Sequence, residues 1–220
     1  MPRPPASDTA SRRELILDAS EHLFATQGFA STTIKQIGEH AGVNSALLYY
    51  YFADKDTLYR EMLQRLIRQM ISFGMGALDV AEPPDQRLEG FVRRQAGFVF
   101  EHPNLPKLMV REMTDHEGAR AEAIITELAA TMFRGLCELI REGQRAKLFR
   151  ADLRPEFAAI STISQVAYFA IARPAVGILL GHKRGHLPAT TVTDFAEHAA
   201  KFALAALAPA RSGASRRKAS

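Results

Sequence analysis

Three consecutive tyrosines, Tyr49, Tyr50 and Tyr51, follow Ser45, Ala46 and Leu47, with Thr33 and Lys35 before them and Lys55 after. Hydroxyls, small apolar groups and ammonium groups in that order suit contact with phosphates and base edges better than bond-making. Successive residues of a helix stand about 100 degrees apart, so the three tyrosines cannot all face one way. Tyr51, with Phe52, is the better core candidate. Arg12, Arg13, Lys35 and Lys55 fall at element ends, where they could meet phosphates. The chain has no GxSxG, no HExxH and no nucleotide-binding glycine loop. Asp115, His116 and Glu117 are adjacent, so they point in different directions on a helix, and no second ligand pair sits four residues on. No metal and no cofactor is expected. Cys137 lies in an apolar helical stripe and reads as an inert core thiol.

The elements that must position these residues are short. Thr32 or Thr33 can cap a helix carrying Ile34, Ile37, Gly38 and Ala41 on one face, and Gly42 is its expected stop. Val43 reads as a buried pin in the turn. Asn44 or Ser45 can cap a second helix with Leu47, Leu48 and Tyr51 on its inner side. Two helices joined by so short a turn cross steeply and present the second one outward, a geometry that can enter a major groove. A preceding helix is expected from Ser11 to Gln27, with Leu15, Ile16, Ala19, Leu23 and Phe24 inward and Gly28 at its end. Glu14, Asp18 and Glu21 share one face of it and read as pointing to water.

The pattern Thr33, Ile37, Ala41, Gly42, Val43, Leu48, Tyr49, Tyr51, Phe52, Lys55 and Leu58, with Phe24, Gly28 and Phe29 upstream, resembles the tetracycline-repressor (TetR) family of transcriptional regulators. The resemblance covers roughly residues 12 to 60. It departs at Gly38, where the family usually has alanine, and at Ala46, where it often has glycine. It implies a homodimer that binds double-stranded DNA at a palindromic operator and responds to a small-molecule effector. On the matching positions, Ser45, Ala46 and Leu47 would read bases, Tyr49 would meet a phosphate and Tyr50 a base edge or sugar. Thr33, Lys35 and Lys55 would hold the backbone. Leu47 donates no hydrogen bond but could touch a thymine methyl.

The rest of the chain reads as helical throughout, so the expected class is all-α. The expected partition is a disordered arm (1–10), a helix-turn-helix domain (11–54), a ligand-binding and dimerisation domain (55–208) and a basic disordered tail (209–220). Asp54 should cap a helix running to about Phe73, the covalent link between the two domains. Further helices are expected at about 85–101, 104–114, 119–146 and 155–181, and a last one, opened by Thr191 and Asp194 as a capping pair, reaching Leu207. The last two carry excess apolar surface: Ile160, Ile163, Ala167, Ile171, Val176 and Leu180 on one, Phe195, Ala199, Phe202, Ala203 and Ala206 on the other. In the resembled family such helices pair with their copies in a second subunit. Candidate lining for an effector cavity is Met70, Phe73, Phe98, His102, Met109, Met113, Phe133, Cys137, Gln165, Tyr168 and Phe169, all of which could equally be plain core.

Charge alone does not point to nucleic acid. The chain carries a formal +4, but residues 1–60 hold six Lys or Arg against seven Asp or Glu, and the tail beyond Pro209 supplies four basic residues and no acid. A single cysteine excludes an internal disulfide, no secretory leader is visible, and the apolar stretch from Phe157 is broken by Arg173 and Pro174. A cytoplasmic protein without a membrane span is expected. Two other classes stay open on the residues alone: a helical adaptor dimer that does not bind DNA, and a helical enzyme.

Overall fold

The computed structural model describes residues 6–115, 122–182 and 187–209. The expected tail from residue 210, most of the loop before the last helix, and His116 with Glu117 lie outside the described residues. Within them every regular element is helical. They form two compact units, residues 1–72 with 99–130, and residues 73–98 with 131–220. This packing differs from a division at residue 54, because 99–130 cluster with the first helices.

In the first unit, α1 (Ala6–Gln27), α2 (Ile34–Ala41) and α3 (Ser45–Tyr51) precede α4 (Lys55–Leu78), whose residues to Ser72 belong here. Helix α1 starts five residues earlier than expected. The stretch Ala6–Ala10 follows the last proline of the arm and contains no residue that breaks a helix. Ile16, Leu17, Leu23 and Phe24 are buried, but Leu15 is 49% exposed. The inward stripe keeps Ile16, Ala19, Leu23 and Phe24 as expected, with Leu17 in place of Leu15 at its edge, and it places Ser20 in the core, where its hydroxyl donates to the Ile16 carbonyl at 2.6 Å. Leu58, Met62, Leu63, Leu66 and Ile67 of α4 close this core. Phe24, Phe29 and Tyr59 make an aromatic trio with centroids 5.0–5.7 Å apart. Helix α6 (Asn104–Asp115) packs on α1. Arg111 donates to the Thr26 carbonyl at 3.2 Å, and Asn104 donates to Glu21 at 3.2 Å. The Tyr59 hydroxyl meets the fully buried Glu112 carboxylate at 3.1 Å.

The expected helix over 119–146 is instead α7 (Glu122–Leu128), a π-helical turn (Ala129–Phe133) and α8 (Arg134–Arg145). The hydrophobic spacing does not distinguish these, since one inserted residue leaves both flanking stripes regular.

In the second unit α5 (Pro84–Glu101, to Phe98 here), α8, α9 (Pro155–Ile171) and α11 (Ala189–Leu207) enclose a core of Leu88, Phe91, Leu136, Ile140, Val166 and Ala199. The helix expected to reach 181 breaks at Ala172, and α10 (Arg173–Leu179) leaves at 83°. Pro174 has no N–H to donate backwards and its ring crowds the preceding turn, so α9 cannot run on through it, and Pro174 sits instead in the first turn of α10. Helix α11 starts after Pro188, two residues ahead of Thr191, and has no side-chain cap. Thr191 and Asp194 are thus inside the helix rather than a capping pair. Among the described residues no single helix is long and apolar enough to cross a membrane.

After α8 the chain folds back on itself. Leu148 and Phe149 both donate to the Gly143 carbonyl, at 2.9 and 3.0 Å, and Gln144 donates to the Arg150 and Leu153 carbonyls at 3.0 and 2.8 Å. The Phe149 ring then lies against Gly143, where an added Cβ would come within 2.1 Å of it. Gly143→Ala should therefore force the buried Phe149 out. The expected cost is about 1–3 kcal/mol, read as a lower midpoint in urea unfolding.

Candidate nucleic-acid interface

Helix α3 is held by two side-chain caps and one close approach. Thr33 and Gln36 form a reciprocal capping box at α2: the Gln36 N–H donates to Thr33 Oγ1 at 3.2 Å, and the Thr33 N–H donates to Gln36 Oε1 at 2.8 Å. Gly42 ends α2 with φ +68°, a conformation side chains resist. Asn44 caps α3, its Oδ1 accepting from the Leu47 N–H at 2.9 Å. Between them the Val43 N–H donates to the Gly38 carbonyl at 2.9 Å. A Cβ on Gly38 would lie 2.8 Å from the Val43 carbonyl oxygen, so the departure from alanine at this position is what lets the turn close down on α2. Leu48 and Phe52 are buried and pin the inner side of α3.

With that side fixed, the outer side is set. Tyr49 is 60% and Tyr50 66% exposed, Ala46 is exposed, and Ser45, Leu47 and Tyr51 are half-buried. Tyr50 is braced edge-on by Tyr51 at 5.2 Å. Lys35 projects from α2 with 82% of its side chain exposed, against Glu39 at 3.9 Å. Ser45, Ala46, Leu47, Tyr49, Tyr50, Thr33 and Lys35 thus all lie on α2, α3 or the α2 cap, none of them fully buried. Thr33 is engaged with Gln36, donating its hydroxyl to Oε1 at 2.9 Å.

Lys55 is placed differently from a side chain held out to a backbone phosphate. Its ammonium donates to the Phe29 carbonyl at 2.9 Å and the Thr32 carbonyl at 3.0 Å, and lies 4.3 Å from the centre of the Phe29 ring. Two of its three donors tie α4 to the loop between α1 and α2. Arg13 is likewise engaged, hydrogen-bonded to Glu61 and lying over the Phe52 ring at 5.4 Å.

The acidic face of α1 is not solvent-directed. Glu14, Asp18 and Glu21 converge on Arg65 of α4, at 2.7, 2.7 and 3.4 Å. Burial works against the guanidinium charge, yet its hydrogen bonds to Glu14 and Asp18 outweigh that and raise its pKa above the ordinary arginine value. Sequence reading sees three carboxylates at helical spacing but not the cation 44 to 51 residues away. The same holds for His22 and His40, whose rings stack at 5.0 Å between α1 and α2.

Of the eleven residues expected to line an effector cavity, Met70, His102, Met109 and Met113 belong to the first unit and the other seven to the second. A groove of about 400 Å³ lies between α9 and α11, lined by Phe157, Ser161, Thr162, Gln165, Phe202 and Ala206 among others, and holds only Gln165 of that set. Tyr168 points outward, while Phe169 stacks on Phe195 at 3.8 Å. Cys137 is buried, and that burial raises its thiol pKa above the ordinary value.

A capped helix-turn-helix with an exposed second helix, joined to a larger helical part, defines a DNA-binding regulator. The profile of the bacterial regulatory proteins of the tetR family matches residues 16–62. That of the C-terminal domain of the HTH-type transcriptional dual regulator CecR matches residues 84–207, more than half of the chain. The chain belongs to the TetR family, with a CecR-type C-terminal domain; it is a transcriptional regulator and not an enzyme. It is 29% identical over 163 residues to the transcriptional repressor NicS of Pseudomonas putida, covering 71% of this chain and 74% of NicS. It is 36% identical over 90 residues to the repressor KstR2 of Rhodococcus jostii, covering 40% of this chain and 43% of that one. The fold is shared with the ketosteroid transcriptional regulator KstR2 of Mycobacterium tuberculosis, at TM-score 0.70 and 18% identity over 90% of this chain and 95% of the other. The fatty acid degradation regulator FadR of Bacillus halodurans is similar in the same sense, at 0.70 and 16% over 88% and 94%.

If Lys55 fastens the bundle, Lys55→Met should destabilise it. Loss of a charged donor to two carbonyls corresponds to about 1–3 kcal/mol, read in urea unfolding without DNA. Unchanged stability would return Lys55 to a role at the DNA backbone alone.

Proposed function

We propose that the protein is a cytoplasmic homodimeric repressor that leaves a palindromic operator when a small apolar or aromatic effector binds. The observation that carries the reading is the exposed face of α3, from Ala46 to Tyr50, held out by caps at both ends of the turn. Ser45, Ala46, Leu47 and Tyr50 face the bases; the Tyr49 hydroxyl, Lys35 and the cap at Thr33 face phosphates. Lys55 acts here mainly by fixing the loop ahead of α2.

Dimerisation runs through α9 and α11. Phe157, Ile160, Tyr168 and Ile171 of α9 and Phe202 of α11 are all exposed, more apolar surface than a lone subunit would leave in water. Ala199 and Ala203 are already buried within the subunit, so of the three alanines expected on this face only Ala206 is left on the outside. A two-fold axis through this face would set two α3 helices one or more DNA turns apart, about 34–36 Å or a multiple.

Effector binding in the 55–208 region would favour a conformer with the wrong spacing. Helix α4 runs through both compact units and α6 grips α1 and α4 through Arg111, Asn104 and Glu112, so these two helices carry the change. A coupling of a few kcal/mol lowers operator occupancy many-fold.

Selection of bound duplexes from a random DNA pool tests this. The expected result is an enriched palindrome whose affinity falls steeply as salt rises, through counterion release. A folded, dimeric protein that enriches no sequence would favour the adaptor reading instead.

A further inference from the structure

The composition of α3 restricts how it can read bases. Ser45–Tyr51 contains Ser, Ala, Leu, Leu and three Tyr, with no Arg, Lys, Asn, Gln, Asp or Glu. Guanine is ordinarily read by Arg or Lys on O6 and N7, and adenine by Asn or Gln on N6 and N7, both as paired hydrogen bonds. The nearest amide, Asn44, precedes α3 and is engaged as its cap, Oδ1 accepting from the Leu47 N–H at 2.9 Å. Lys55 and Arg13 are engaged within the bundle, as described above.

What α3 does expose is apolar and shaped. Ala46, Tyr49 and Tyr50 stand at i, i+3 and i+4, hence on one face with Cβ atoms about 5–6 Å apart. The Ala46 methyl makes a small floor between two exposed phenol rings, the Tyr50 ring held in place by Tyr51. Half-exposed Leu47 adds a second apolar surface beside it. In the major groove the one apolar feature of a base pair is the thymine C5-methyl.

We propose that this chain recognises its operator chiefly through thymine C5-methyl groups, seated between Ala46, Tyr49 and Tyr50 and against Leu47. This rests on the reading that α3 enters the major groove and names what it reads there. Tyrosine hydroxyls add single hydrogen bonds to phosphates or base edges. Half-sites should then be thymine-containing at the contacted positions, with guanine tolerated or excluded by shape alone.

The test uses the full-length protein and the duplex recovered from a random pool. Each half-site thymine is replaced in turn, symmetrically, by deoxyuridine, which removes only the methyl group. Removal at a seated position should weaken binding about fourfold per methyl and about fifteenfold for the symmetric pair, the equivalent of exposing one CH2 group per half-site. In Leu47→Ala the methyl dependence at one of these positions should shrink while the other persists. Deoxyuridine duplexes bound as tightly as thymine duplexes at every position would overturn the proposal while leaving the DNA-binding reading intact. So would recovered half-sites with no thymine common to them. Failure of the wild-type protein to prefer any duplex would overturn both.

Discussion

The pose of α3 depends on a three-residue turn being closed tightly against α2. Gly42 takes up the left-handed conformation, Val43 donates back to Gly38, and Asn44 starts the next helix with its own side chain. No side chain on Gly38 separates the turn from α2. Because the turn fixes the angle, and Leu48 with Phe52 fixes the roll, the exposed residues of α3 follow without further freedom. A methyl group at residue 38 would disturb the presentation of residues eight to twelve positions away.

Electrostatics explain how a bundle with a slightly acidic balance can still serve a polyanion. Arg65 gathers the three carboxylates of α1 in a partly buried cluster on one side, and Arg13 pairs with Glu61. The cluster keeps a surplus of two negative charges, but that surplus is gathered between α1 and α4 and not on α3. On the α2 side stand Lys35, exposed with Glu39 at 3.9 Å, and the partial positive character of the α2 start behind its capping box. Individual exposed ion pairs contribute little to stability, but a guanidinium held by three carboxylates does more to fix the direction of α4 against α1.

Much of this was legible in the chain because its determinants are local. Glycine stops, Asn and Thr caps and the Leu48 and Phe52 anchors lie within a few residues of what they control, so the helix-turn-helix and its exposed residues could be read directly. The opening of α4 at Asp54 is of the same kind, with the Thr57 N–H donating to its carboxylate at 2.7 Å. Features set by distant partners were not legible. Lys55 reads as a phosphate ligand until the carbonyls of Phe29 and Thr32 are seen around it. Leu15 and Leu17 exchange places because the stripe of α1 is set by where α4 and α6 press on it. The effector set depends on distant partners in the same way: Met and Phe at helical spacing mark core, and only the fold decides which core each one enters.

On the proposed reading the exposed face of α3, rather than the basic tail or another surface, confers sequence-specific affinity. Replacing Tyr50 with alanine tests it most directly, because the ring is two-thirds exposed and contributes little to the core. Affinity for the selected duplex and the urea midpoint should be measured together. A loss of at least about tenfold in specific affinity, as expected for one lost base contact in each half-site, with an unchanged midpoint, is the predicted result. Unchanged affinity in the folded variant would contradict the account.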